Sequence, residues 1–195
     1  MEATYFFDPS CPFTWRTSRW LIGVAPERDV SVRWRAFSLS MLNSGGDIPD
    51  EYKPVRAASS RALRLVEALR AEQRDGDVGA FYTELGSRTF EAGVRLSDDI
   101  AVAAAEAAGI ENAKAIMDDE SWDRAVRESL DTAVGSAGPD IGSPVLWIQD
   151  APRAVHGPII GVDGRPAHDE ALAIWDAVVA LARSGTFFEL KRGRR

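Results

Sequence analysis

The chain has 195 residues, of which 45% are hydrophobic and 27% charged, and its formal net charge is −7. This size and balance are typical of one globular domain, residues 1–195, that buries enough surface to fold without a disulfide or a structural metal. The acidic balance argues against binding to nucleic acid, so the basic tail at residues 191–195 is interpreted as a solvated end.

The first predicted unit is a strand, a helix and a second strand. Residues Ala3 to Phe7 are aromatic and β-favouring, and apolar and polar residues alternate from Val30 to Phe37. Between them, apolar residues recur at helical spacing from about Cys11 to Ala25, and Pro26 ends the helix. Because a crossover of this length joins parallel neighbours, we expect the two strands to pair in parallel.

A helical block is predicted for the middle of the chain, from about residue 43 to residue 138. Leu63, Val66 and Leu69 show the helical period there. Ser97 followed by acidic residues is typical of a helix start, and Gly109 suits the position after a helix end.

The C-terminal unit is predicted to contain two strands and a helix. Val145 to Ile148 is typical of a buried strand, and Val155 to Val162 predicts a second strand interrupted by Gly157-Pro158. A helix with a wide apolar face is expected from about Asp169 to Arg183. The order predicts an α/β fold in which a helical insertion, about residues 43–138, separates an N-terminal βαβ unit from a C-terminal ββα unit.

A cytoplasmic location is expected, without contact with a membrane. No stretch of the sequence approaches the roughly 20 apolar residues of a membrane-spanning helix. The first residues lack the basic segment and cleavage site of a secretory signal, and Glu2 stands where a positive charge is expected.

Cys11 is the one cysteine in the sequence, which therefore offers neither an internal disulfide nor a multi-thiolate metal site. It lies where the first strand gives way to the first helix, a place where ligands collect in parallel sheets. Free N–H groups and the helix dipole favour a thiolate at a helix start, so the pKa of Cys11 is predicted to fall below its ordinary value. A nearby Asp8 carboxylate would oppose this effect.

Thr14 lies one helical turn after Cys11, so its hydroxyl can share a face with the sulfur and donate a hydrogen bond to the thiolate. Threonine does not resolve a mixed disulfide as the second thiol of a Cys-x-x-Cys pair does. Redox turnover at Cys11 would therefore need a thiol from solution or from a partner.

Together, these motifs resemble the DsbA-like thioredoxin-fold family and, within it, the branch of mycothiol-dependent nitroreductases. The segment from Phe7 to Trp15 is similar to the branch's active-site segment, in which an aspartate and a proline lead into Cys-Pro-Trp-Cys. The segment from Thr17 to Trp20 resembles the helix that follows. Further segments similar to the branch, in the same order, are Ile48–Tyr52, Gly142–Pro144, Gly157–Pro158 and Phe187–Arg192.

The resemblance implies a thioredoxin fold with a helical insertion, an attacking thiolate at Cys11 and a cis-proline at Pro144 facing it. Ser143, which precedes that proline, would offer backbone pairing to an extended substrate or to a low-molecular-weight thiol. Thr14 is assigned to the catalytic set beside Cys11. The remaining residues assigned to substrate binding are Ser10, Pro12, Phe13 and Trp15.

The sequence departs from the family where Thr14 replaces the second cysteine and Phe13 replaces the aromatic residue before it. One interpretation is a monothiol oxidoreductase, in which Cys11 forms a mixed disulfide with mycothiol or glutathione and a second thiol molecule releases it. Its substrate would be a small electrophile or disulfide. A second is a thiol-binding transferase or isomerase of the kappa glutathione transferase type, with Ser10 or Thr14 orienting the bound thiolate. A third is a non-catalytic binding module, and the oligomeric state, a homodimer included, stays open.

The remaining candidates for chemistry have little support in the sequence. His156 and His168 are its two histidines and are interpreted as surface or cap residues. The sequence contains no phosphate-binding loop, because Ser44-Gly45-Gly46 lacks the lysine and the spacing that such a loop requires. No metal site is predicted.

Overall fold

The computed structural model describes residues 1–161 and 164–193, which form four strands and eight α-helices. The strands are β1 (Glu2–Phe7), β2 (Ser31–Ala36), β3 (Val145–Ile148) and β4 (Val155–His156). The helices are α1 (Pro12–Val24), α2 (Leu39–Leu42), α3 (Lys53–Ala71), α4 (Asp75–Gly86), α5 (Asp98–Ala107), α6 (Ala113–Asp118), α7 (Asp123–Ala137) and α8 (His168–Ala182). The predicted α/β fold, in which a group of helices separates an N-terminal βαβ unit from a C-terminal ββα unit, is confirmed.

The strands form one mixed sheet in the order β2-β1-β3-β4. The parallel pairing of β1 with β2, predicted from the crossover length, is confirmed, with Phe7 opposite Ala36. β1 pairs with β3 in antiparallel fashion, with Phe6 opposite Val145, and β3 pairs antiparallel with β4. The C-terminal end of β1 therefore lies beside the beginning of β3.

Alternate side chains of β1 enter two different cores. Tyr5 and Phe7 are fully buried among residues of α1, α3, α4 and α8, whereas Phe6 lies on the other face of the sheet with Leu130 of α7. Burial of each such side chain contributes about 2–3 kcal/mol. The Tyr5 hydroxyl also donates a hydrogen bond to the carbonyl of Thr14 at 2.7 Å, which fixes the first turn of α1 against the sheet.

β2 lies at the edge of the sheet, and side chains of the insertion cover that edge. The Ala36 N–H donates to Glu67 Oε1 at 3.0 Å, and the Ser129 hydroxyl donates to the Ala36 carbonyl at 2.7 Å. The Trp34 N–H lies 3.3 Å from Asp75 Oδ1. These contacts satisfy edge groups that would otherwise be free to pair with another chain.

Local signals position the helices of the insertion. Ser97 caps α5 as predicted, because its hydroxyl accepts a hydrogen bond from the Ile100 N–H at 3.3 Å. Gly109 follows that helix with a φ of 73°, a conformation that favours glycine. None of the helices within the described ranges is long and apolar enough to cross a membrane.

The prediction of a strand from Val155 to Val162 is wrong beyond His156, where β4 ends, and Val162 lies outside the described residues. Gly157 has a φ of 97°, and Pro158 has no N–H to donate to a neighbouring strand. The Thr17 hydroxyl donates to the Pro158 carbonyl at 3.0 Å and accepts from the Ile160 N–H at 3.2 Å. The segment therefore leaves the sheet and is held against α1.

The basic tail is exposed over residues 191–193, in line with a solvated end. Its last two residues, Arg194 and Arg195, lie outside the described residues.

Candidate active site

Cys11 occupies the N-cap position of α1, directly after the turn that follows β1. Its N–H donates to the Asp8 carbonyl at 3.0 Å, and its carbonyl accepts from the Trp15 N–H at 3.1 Å. Pro12, which has no N–H, follows at the first helical position, where none is needed. The sulfur thus lies at the positive end of the α1 dipole.

The thiol faces the loop that leads into β3. Cys11 Sγ donates a hydrogen bond to the Ser143 carbonyl at 3.6 Å, and the Ser143–Pro144 peptide bond is cis. The side chains of Cys11 and Ser143 are 7% and 6% exposed. Tertiary structure therefore brings together three residues assigned from the sequence, Cys11, Ser143 and Pro144.

Thr14 lies behind the sulfur and links it to Ser143. It is fully buried, and its Oγ1 lies 2.7 Å from Ser143 Oγ. Ser143 Oγ also accepts a hydrogen bond from the Asp8 N–H at 3.2 Å. The Thr14 hydroxyl and N–H both form hydrogen bonds with Cys11 that lower the pKa of the thiol. The hydroxyl is therefore placed where it can stabilise a thiolate at Cys11.

The prediction that the pKa of Cys11 falls is nevertheless wrong, because burial raises the pKa of the thiol more than the hydrogen bonds from Thr14 and the Phe13 N–H lower it. The negative charge of Asp8 also raises that pKa. The hydrogen bond that the thiol donates to the Ser143 carbonyl favours the protonated form as well. Burial, the Asp8 charge and the Ser143 carbonyl therefore all favour the thiol over the thiolate.

Asp8, which the sequence places in the family-like segment Phe7–Trp15 and as a charge near Cys11, organises the turn after β1. Its carboxylate is 1% exposed and accepts hydrogen bonds from the Ser10 N–H at 2.8 Å, the Ser10 hydroxyl at 2.6 Å, the Ser59 hydroxyl at 2.6 Å and the Leu39 N–H at 2.8 Å. It therefore ties the end of β1 to α2 and α3. The sequence signals at this position were its place after a strand and its place before Pro9 in the family-like segment.

The other residues assigned to substrate binding lie around the first turn of α1. Pro12 is exposed and Phe13 is half-buried. Because the Ser10 hydroxyl donates to Asp8, it shapes the turn before Cys11 and does not direct its proton at the sulfur.

Trp15, also assigned to substrate binding, is buried in the hydrophobic core. Its ring stacks on Phe90 at 6.1 Å between centroids and meets Tyr82 edge-on at 5.5 Å. A Cβ added at Gly86 would lie 2.1 Å from the Trp15 ring, so only glycine allows α4 to approach so closely. The Arg19 guanidinium lies 4.0 Å from the centroid of the same ring.

His156 is exposed on β4, opposite Val145, and His168 is exposed at the start of α8. Across residues 1–161 and 164–193, no group of three or more His, Cys, Asp or Glu side chains is arranged to hold a metal ion.

Comparison with known protein families gives a match over residues 10–192 to the Rv2466c-like family, described as mycothiol-dependent nitroreductase Rv2466c. The match spans the helix that carries Cys11, the whole insertion and the Ser143–Pro144 loop. The protein Rv2286c of Mycobacterium tuberculosis is 27% identical over 196 residues, which covers 96% of this chain and 80% of that protein.

Solved structures share the fold at low sequence identity. A 2-hydroxychromene-2-carboxylate isomerase superposes with a TM-score of 0.58 at 15% identity, covering 94% of this chain and 97% of that one. The cytosolic disulfide reductase DsbM from Pseudomonas aeruginosa, solved with glutathione, superposes with a TM-score of 0.57 at 17% identity, covering 93% of this chain and 100% of that one. At such identities the likeness shows the thioredoxin-like fold.

Proposed function

Since the chain belongs to the Rv2466c-like family, as its active-site segment predicted, we propose that it is a thiol-dependent oxidoreductase that uses Cys11 alone, together with a low-molecular-weight thiol. The observation that carries the proposal is the position of the sulfur, at the N-cap of α1 and in hydrogen-bond contact with the Ser143 carbonyl. This position supports the assignment of Cys11 as nucleophile and of Ser143–Pro144 as the substrate-aligning loop.

The proposed reaction has two thiol–disulfide exchanges. In the first, the Cys11 thiolate attacks the sulfur of a small thiol within a disulfide substrate, forming a mixed disulfide and releasing the other half of the substrate as a thiolate. In the second, a free molecule of the small thiol attacks the small-thiol sulfur that is bonded to Cys11 in the mixed disulfide. This exchange regenerates the Cys11 thiolate and yields the disulfide of the small thiol. Overall, one free molecule of the small thiol is consumed, the other half of the substrate leaves as a thiolate, and the two small-thiol sulfurs leave as a disulfide, so no second protein cysteine is needed.

Ionisation of Cys11 is coupled to substrate binding in this proposal. Because the thiol proton is donated to the Ser143 carbonyl, loss of that proton frees the carbonyl to accept a hydrogen bond from a substrate amide. The Thr14 hydroxyl, held by Ser143 Oγ at 2.7 Å, then stabilises the thiolate at the place where the family has its second thiol.

Mycothiol and glutathione are the two thiols we propose. The family description names mycothiol, and the DsbM neighbour contains glutathione. Both thiols act as reductants in the cytoplasm, and the proposal therefore implies a cytoplasmic protein acting on a small electrophile or disulfide.

The test is to incubate the protein with oxidised mycothiol and with oxidised glutathione at pH 7 and pH 9 and to measure the intact mass. We expect one mixed-disulfide adduct, formed faster at pH 9, that a second addition of the reduced thiol removes. The Cys11→Ser variant is the matched control and should gain no adduct. An unmodified parent protein at both pH values would contradict the proposal.

The raised pKa of Cys11 and its 7% exposure favour one second candidate, a transferase or isomerase that uses the sulfur of a bound thiol. In that case the chain's own sulfur does not react, and turnover survives Cys11→Ser. The oxidoreductase proposal requires that turnover be lost. Binding of the small thiol without turnover in either protein, dependent on Ser143, would instead support a non-catalytic binding module.

A further inference from the structure

A cavity separate from the candidate active site lies between α1, α8 and the segment around Ile160. Its volume is about 360 Å³, within the size range of small-molecule sites. Cys11 is not among its walls, which begin at Trp15, four residues and roughly 6 Å further along α1.

The cavity is lined by cations in an acidic protein. Arg16, Arg19 and Arg165 contribute to its walls, and none of its described lining residues is an aspartate or glutamate. The chain as a whole has 30 acidic and 23 basic residues, so such a wall departs from the composition.

Arg19 is a partly buried cation in this wall. Nη1 donates to the Thr83 hydroxyl at 2.9 Å, while Nη2 is buried and has no hydrogen-bond partner within the described ranges. None of the ion pairs formed by the described residues includes Arg19. Burial lowers the pKa of the guanidinium more than the nearby Tyr82 and Glu91 raise it.

Two acidic side chains of the described residues pair with basic residues at the cavity's exposed rim. Arg165 pairs with Glu91 at 3.2 Å, with the two side chains 78% and 48% exposed. His168 lies 3.4 Å from Glu27. Exposed pairs of this kind contribute little, so an incoming anion can compete with them.

The rest of the wall is apolar, with Trp20 and Leu172 on facing helices. We propose that this cavity binds a small organic anion, with its acidic group among the arginines and a flat apolar body against Trp20 and Leu172. The inference is independent of the proposed function, because it concerns a site without the thiol.

Isothermal titration of the full-length protein with 1-naphthoate and with the uncharged 1-naphthalenemethanol tests the proposal. We expect 1-naphthoate to bind more tightly by on the order of tenfold, since a charge-assisted hydrogen bond is stronger than a neutral one. Equal affinities, or no binding of either compound, would overturn the proposal.

Gly23 provides a variant that fills the cavity. It lies in α1 on the cavity wall, and a Cβ added there meets no atom within 4 Å. Gly23→Leu should weaken binding of 1-naphthoate at least tenfold, while Gly135→Leu, at an equally open helical glycine in α7, should leave it unchanged. Unaltered binding in a folded Gly23→Leu protein would place the ligand elsewhere and refute the site.

The charge requirement is tested by the double variant Arg16→Gln/Arg165→Gln, since both side chains are exposed and their loss should leave the fold intact. This protein should lose most of its preference for the anion over the alcohol. The matched control is Arg124→Gln/Arg127→Gln, which removes the same charge from the exposed face of α7. A preference that falls equally in both double variants would show a general charge effect and contradict the proposal.

Discussion

Replacement of Thr14 by valine tests whether the buried Thr14 hydroxyl stabilises the Cys11 thiolate. Valine has nearly the shape of threonine, so the fully buried position stays filled although its hydroxyl is lost. The change deletes the hydroxyl that lies 2.7 Å from Ser143 Oγ and that lowers the pKa of Cys11. The N–H of residue 14 remains as a hydrogen-bond donor, so the side-chain contribution is isolated.

The expected size of the effect follows from the charge on the acceptor. A hydrogen bond to a charged group contributes about 1.5–3 kcal/mol, so its loss lowers the thiolate fraction at pH 7 about ten- to hundredfold. A thiolate of higher pKa is also a better nucleophile, which recovers roughly half of that change on a logarithmic scale. Reaction with a small disulfide probe should therefore slow about three- to fifteenfold in Thr14→Val.

Stopped-flow reaction of Cys11 with 4,4′-dithiodipyridine from pH 6 to pH 10 measures the rate at each pH and shows whether its midpoint lies within or above that range. In the parent, the rate should rise with pH through a midpoint above the ordinary thiol value of 9.0. Thr14→Ser is the matched control, because it keeps the hydroxyl and should keep the parent's midpoint. If Thr14→Val shows the parent's midpoint and rate, the hydroxyl does not stabilise the thiolate and the reasoning fails.

Three further predictions concern buried ionisable groups. Asp8→Asn should lower the free energy of unfolding in urea by about 2–4 kcal/mol, because the amide Nδ2 then faces the Leu39 N–H, a second donor. It should also lower the pH midpoint of Cys11 reactivity, because a negative charge near the thiol is removed. Unchanged stability would contradict the role of Asp8. Glu67→Gln should lower the free energy of unfolding by about 1–3 kcal/mol in the same assay, because Glu67 is fully buried against the edge of β2. A loss of stability no larger than that of the same change at an exposed glutamate would disprove this. Burial raises the pKa of Tyr82 well above 10.0, so the unfolded chain ionises first and the free energy of unfolding falls above pH 10 by about 1.4 kcal/mol per pH unit for this group. Tyr82→Phe should reduce that slope between pH 10 and pH 11, and an equal slope in both proteins would show that Tyr82 does not contribute.

The backbone path to the site was predictable because its signals are local. A β-favouring run, a helical period ended by Pro26 and a second alternating run specify a strand, a helix and a strand, and the crossover length specifies parallel pairing. Cys11 followed by Pro12 likewise indicates a helix start at the end of a strand, which is where the structure has it. These features depend on neighbouring residues alone.

The edge and end of the sheet needed tertiary structure. The alternation after Val155 favours a longer strand than the two residues that β4 contains. Thr17, far away in the sequence, supplies the hydrogen bonds that draw Pro158 and Ile160 out of the sheet and onto α1. No local pattern near β4 contains that information.

The identity of the proposed nucleophile follows from the sequence, since Cys11 is the one cysteine in the chain and Thr14 lies one helical turn after it. Its protonation was decided by the tertiary structure. Ser143, 132 residues away, accepts the thiol proton, and the packing around the site leaves 7% of the cysteine exposed. The pKa of a thiol depends on how far the fold removes it from water as well as on the nearby backbone dipoles. Removal from water results from the packing of segments that are distant in the sequence, so only the folded chain determines it.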